Sequence, residues 1–157
     1  MDTASKLLLA EVIRKTRIAA LATLRAEAPL VSMVAFAPRE DFSVFYIHVS
    51  RLAQHTVDMQ KDKHVGLLIT ESDDGRADPQ TLVRISIRGS AEIFLNGEPG
   101  YTPAKKLYLD RFPESAPSFD LADFNLWRIR PLGGRFVAGF AKAFNVTPET
   151  LEEVSKL

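Results

Sequence analysis

There is no cysteine among the 157 residues of this chain. That excludes disulfides, thiolate metal sites and cysteine nucleophiles, and it fits a reducing compartment. Net charge is absent too, with 20 lysines and arginines against 20 aspartates and glutamates. No global field therefore draws the protein to nucleic acid or to an anionic membrane, and any anion site must be local. No apolar run reaches the length of a membrane span. The stretch from Met1 to Ala10 has neither the charge order nor the apolar length of a signal peptide. The expectation is a cytoplasmic protein with neither membrane nor nucleic acid as a partner.

Chemical signatures are equally sparse. No glycine-rich dinucleotide fingerprint, Walker loop or zinc-protease helix occurs. His48, His55 and His64 do not stand at spacings that converge on a metal. The acidic loop Glu71 to Gln80 lacks the alternating ligands and closing glutamate of a calcium loop. Ser50, His55 and Asp58, with the second and third five and eight residues from the first on one short helix, do not have the spacing of a hydrogen-bonded hydrolytic relay, and no nucleophile elbow surrounds Ser50.

What is present is a run of short strands. Length and composition predict one domain, 1–157, with a real core. Stacked apolar pairs predict a helix over 4–16, followed by strands over 18–24 and 30–37. The stretch 44–70 organises the rest: strand 44–49, a corner, a short helix carrying Leu52, Thr56 and Met59 at helical spacing, and strand 65–70. Ser50 is read as the N-cap of that helix. A helix start with free amides, a hydroxyl and Arg51 attracts anions, above all phosphate; the alternative is a simple cap and a solvated arginine.

Residues 82–95 alternate, with Val83, Ile85, Ile87, Ala91 and Ile93 on one face and Arg84, Ser86, Arg88 and Glu92 on the other. Thr102 is read as capping a helix that runs to Phe112, with Pro103 at its first position. Strand 124–130, a turn at 131–134, a last strand 135–144 with a bulge or a close approach by another group at Gly139, and a short helix from Thr147 complete the chain. Six or seven hairpin-connected strands with few strand–helix alternations predict a mainly β fold, a small closed antiparallel barrel with peripheral helices.

The ordered set of these segments resembles the FMN-binding split-barrel superfamily, the group of pyridoxamine 5′-phosphate oxidase. The segments are Ile18-Ala-Ala-Leu-Ala-Thr-Leu24, Pro29-Leu-Val-Ser-Met-Val-Ala-Phe36, Ser50-Arg-Leu-Ala-Gln-His-Thr56 and Arg84-Ile-Ser-Ile-Arg-Gly-Ser-Ala-Glu92. The ending Gly133 to Ala143 looks most like the haem-utilisation branch, without the additional C-terminal domain of that branch.

The resemblance implies FMN as cofactor, bound at a homodimer interface, with a small-molecule substrate or electron donor. By position it assigns the phosphate corner to Ser50 and Arg51, flanked by Val49 and Leu52, and the following helix to His55 and Thr56. It places Ser32, Met33 and Val34 on the strand bordering the flavin ring, and Arg84 on a neighbouring strand close to the same helix start. Leu52 stands where the oxidase itself has a second cation, which points away from that enzyme proper. The leading expectation is a flavin-dependent oxidoreductase. The alternatives are a haem-degrading enzyme and a flavin carrier or binding module without turnover.

Overall fold

A computed structural model describes all residues, 1–157. Helix α1 (Thr3–Lys15) starts on Asp2, whose carboxylate accepts the Ser5 amide at 2.7 Å, and buries Leu9, Val12 and Ile13. Strands β1 (Ile18–Arg25) and β2 (Ala28–Ala35) form a hairpin turned at Ala26 and Glu27, both at positive φ. Then come β3 (Ala37–Pro38), β4 (Phe45–Ser50), α2 (Gln54–Lys61), β5 (His64–Thr70) and the long β6 (Arg84–Phe94). Helix α3 (Tyr101–Arg111), 3₁₀ turns over Pro113–Asp120, β7 (Phe124–Val137), β8 (Ala143–Val146) and α4 (Pro148–Val154) complete it.

The strands run in the order β2-β1-β5-β6-β7-β4-β3, all antiparallel, with β8 added to β7. The two ends of that path, β2 and β3, are one nearly continuous stretch of chain. Its first part pairs with β1, while Ala37 and Pro38 pair with Tyr46 and Phe45 of β4. One stretch bonded to both edges curls the sheet on itself, which gives the antiparallel barrel expected from the strand pattern in the split form that the family resemblance implied. Inside lie Leu21, Phe36, Phe45, Ile47, Ile69, Ile85, Ile129 and Phe136, and Trp127 joins this core rather than a surface. A second cluster, with Tyr46, Phe94, Tyr108, Phe112 and Leu126, seats α3 on the outside.

Three sequence expectations are corrected. Pro131–Gly134 is no turn: β7 runs through it. The register slips between Arg88 and Gly89, so Leu132 is left without a partner, and Pro131 sits at this bulge, where its missing N–H is tolerated. Gly134 makes that continuation possible, since a Cβ there would stand 2.3 Å from the Ser86 carbonyl oxygen. The predicted last strand is divided, because the chain reverses at 138–142 around Gly139 (φ 126°) and returns as β8. Thr102 does not cap α3; Gly100 does, in left-handed backbone and without a side-chain bond. At α4 the expected Thr147 cap forms, with a capping box to Thr150 and Pro148 at the first position. No helix is long and apolar enough to cross a membrane.

Candidate functional site

The corner after β4 brings most of the predicted residues together, though not as drawn from the sequence. Ser50 is not the N-cap of α2. That position belongs to Ala53, which offers no side chain, so the first-turn amides of α2 have no side-chain cap. The Ser50 hydroxyl instead accepts the Leu52 amide at 3.1 Å and donates to the Asp123 carboxylate at 2.8 Å. The Arg51 amide donates to the Asp123 carbonyl at 2.6 Å, leaving the Arg51 guanidinium exposed. Leu52 is 78% exposed and Val49 is buried in the core, so Val49 offers the corner only its backbone.

Helix α2 is seated by a buried carboxylate. Asp58, 1% exposed, accepts hydrogen bonds from Gln54 (2.8 Å), Thr23 (3.0 Å) and the Arg25 guanidinium (3.3 Å). Burial pushes its pKa up, but these bonds and the Arg25 charge outweigh that and hold it below the ordinary carboxylate value. The seat turns His55 toward β2, where its Nδ1 lies 3.2 Å from the Ser32 hydroxyl. The other ring nitrogen, Nε2, is buried with no partner, as is the hydroxyl of Thr56. Burial lowers the His55 pKa, opposed by the charge of Asp58, so the ring is neutral at neutral pH. A buried ring nitrogen without a partner is costly, and this one is open to a further hydrogen bond at the junction of β2 and α2.

On β2, Ser32 and Val34 point inward and Val34 belongs to the core, whereas Met33 is 66% exposed on the outer face. That outer face is apolar across three strands, since Ala20 pairs with both Met33 and Leu68, and Ala22 with Val31 and Gly66. Here a cleft of about 1090 Å³ opens between the sheet and the end of α1; Ile18, Val31, Met33 and Leu68 are among its walls. Along the same face the character changes at β6. Leu68 pairs with Ser86, Gly66 with Arg88, and Ser86 in turn with Arg135.

Arg84 is not at the corner of its own chain. It pairs with Val137 at one end of β7, while Ser50 pairs with Phe124 at the other, 13 residues along the strand. At about 3.3 Å per residue this is a separation of up to roughly 40 Å. The Arg84 guanidinium is also tied to the carbonyls of Gln80 and Leu82. The expectation that Arg51 and Arg84 stand near one helix start is therefore corrected for a single chain. Asp58 and Asp123 went unassigned in the sequence because their partners, Thr23 and Ser50, are 35 and 73 residues away.

The sequence profile of the pyridoxamine 5′-phosphate oxidase family matches residues 8–138. The chloroplastic heme oxygenase HOZ of Arabidopsis thaliana is 36% identical over 116 residues, covering 74% of this chain. The chain spans only 34% of the length of that plant protein. Among solved structures, a heme-binding protein of Mycobacterium smegmatis superposes with a TM-score of 0.83 at 23% identity, over 98% of this chain and 61% of that one. A FAD-binding protein of Mesorhizobium loti superposes with a TM-score of 0.64 at 16% identity, over 80% of this chain and 86% of the other. At these identities the two structures speak for the fold alone.

Proposed function

Because the chain belongs to the pyridoxamine 5′-phosphate oxidase family, we propose that it binds FMN between two copies of itself and works as a flavin-dependent oxidoreductase. The observation that carries this reading is the Ser32–His55 pair. It ends in a buried, unpartnered Nε2 at the junction of β2 and α2, beside an uncapped helix start and a free arginine. Those groups fit the cofactor. Arg51 and the α2 amides suit its phosphate. The backbone of Ser32–Val34 suits the polar edge of its ring, and the apolar outer face around Met33 and Leu68 suits cover by a second copy. In this reading Arg84, remote from its own corner, serves the partner's site. The flavin supplies the redox chemistry when bound, while the protein binds, orients and shields it.

The test is titration of FMN and riboflavin into apo-protein, with sedimentation of the loaded species. FMN is expected to bind much more tightly than riboflavin, to a dimer. Equal affinities would mean that the phosphate corner is misplaced, and a flavin-loaded monomer would refute the shared site.

Haem is the second reading, favoured by the plant relative, whose name makes it a heme oxygenase. It stands second because His48 and His64 are engaged and His55, bonded through Nδ1, keeps only a buried Nε2 open. His48 is stacked on Phe119 and bonded to Ser118, His55 is bonded to Ser32, and exposed His64 sits 2.7 Å from Asp62. Added haem is expected to bind weakly or not at all; a sharp Soret band at one equivalent would reverse the order.

A further inference from the structure

We infer that Asp123 sets the selectivity of the phosphate corner by placing a carboxylate against the hydroxyl that an incoming anion needs. The inference rests on the flavin reading above. The loop preceding β7 lies across the end of β4, held by the Asp123 carbonyl on the Arg51 amide (2.6 Å) and by the Asp123 carboxylate on the Ser50 hydroxyl (2.8 Å). His48 holds the same loop from beneath, through Ser118 and Phe119. A hydroxyl has one proton to give, and Ser50 gives it to Asp123. Toward any other group near it, Ser50 can then only accept, and it already accepts the Leu52 amide.

A phosphate approaching Arg51 at this corner therefore finds the hydroxyl proton taken and a like charge beside it. No lysine or arginine lies within ion-pair distance of Asp123. Its charge consequently weighs against any second anion, and the fixed attraction of Arg51 for phosphate is offset by a fixed repulsion. The neutral flavin end groups feel neither. Asp123 thus lowers the preference of the corner for phosphorylated over unphosphorylated ligands.

Asp123→Asn isolates the charge, because the amide oxygen still accepts from Ser50 and the backbone carbonyl still holds Arg51. FMN affinity is expected to rise about tenfold or more at low ionic strength, the scale of one like-charge contact in a partly screened site. Riboflavin affinity is expected to stay within about twofold, since that ligand brings no charge for Asp123 to repel. The gain in FMN affinity should shrink in 1 M salt, where screening acts within about 3 Å. A merely structural role would move both flavins together and show no such salt dependence. Should the asparagine variant fold poorly by circular dichroism, Asp123→Ala keeps the carbonyl and removes the same charge; it also frees the Ser50 proton, so the gain for FMN over riboflavin is expected to be at least as large. If the parent prefers FMN and the variant prefers it by the same factor, this inference falls and the flavin reading stands. If neither protein binds either flavin, both fall.

Discussion

Two histidines stand on either side of the end of β4, and they differ in what surrounds them. His48 lies in an aromatic enclosure. Its ring is parallel to Phe119 at 3.7 Å, with Phe124 at 5.4 Å and Tyr108 at 5.9 Å, and its Nδ1 meets the Ser118 hydroxyl at 3.2 Å. Burial, helped by the charge of Lys105, lowers its pKa to about 4. His55 has one hydroxyl, one helix and a buried nitrogen with nothing to bond. The first arrangement fastens a loop to a barrel. The second is incomplete without something further. A candidate site is recognised here by the bond that a buried group has not made, more than by the residue type, since both are histidines and both are kept neutral.

The largest effect expected on the His48 side is on stability. Tyr108→Ala removes a buried ring from the outer cluster and should cost about 3–5 kcal/mol, read as a lower urea midpoint. The flavin affinity of the protein that remains folded should not change. A change of both together would merge the two regions into one.

On the His55 side, Arg51→Ala should weaken FMN by about 10- to 150-fold, because a charge-assisted hydrogen bond contributes about 1.5–3 kcal/mol. The urea midpoint should be unmoved, and Lys106→Ala serves as the control. An unaltered FMN affinity would return Arg51 to a solvated surface charge. Ser32→Ala should act more weakly, about 2- to 12-fold on flavin affinity, the scale of one neutral hydrogen bond of about 0.5–1.5 kcal/mol. An effect of Ser32→Ala on stability alone would make the Ser32–His55 pair another fastening, like that of His48.

The last effect is a pH dependence. The folded pKa of His48 lies near 4, below the ordinary 6.5. As pH falls, the unfolded chain takes up that proton first. The stability linked to His48 is therefore complete above about 6.5 and is lost as pH falls toward 4. His55 and the carboxylates with lowered pKa, Asp58 among them, pull the same way as pH falls. The diagnostic quantity is thus the difference between the parent and His48→Gln in urea midpoints from pH 4.5 to 7. A parent curve that parallels the variant would show that the enclosure does not disfavour the proton.

Local pattern was enough to read the elements and the class of the fold. Alternation in 82–95, stacked apolar pairs in 4–16 and the short connections all depend on neighbours in sequence, and they predicted most of the strands and helices and an antiparallel barrel; its split form came with the family resemblance. The ordered segments also carried the family. Tertiary structure alone decided the rest, because each remaining choice is a competition between distant groups. Ser50 could cap a helix or serve Asp123, and pairing of β4 with β7 brings Asp123 to it across 73 residues. Pro131–Gly134 has the composition of a turn, yet β6 offers a bulge and a carbonyl that fits only against a glycine. Arg84 and Arg51 are both basic residues at strand ends, and only the register shows that these are opposite ends. Periodicity assigns a residue to a face of its strand; what faces it there is fixed when the sheet closes.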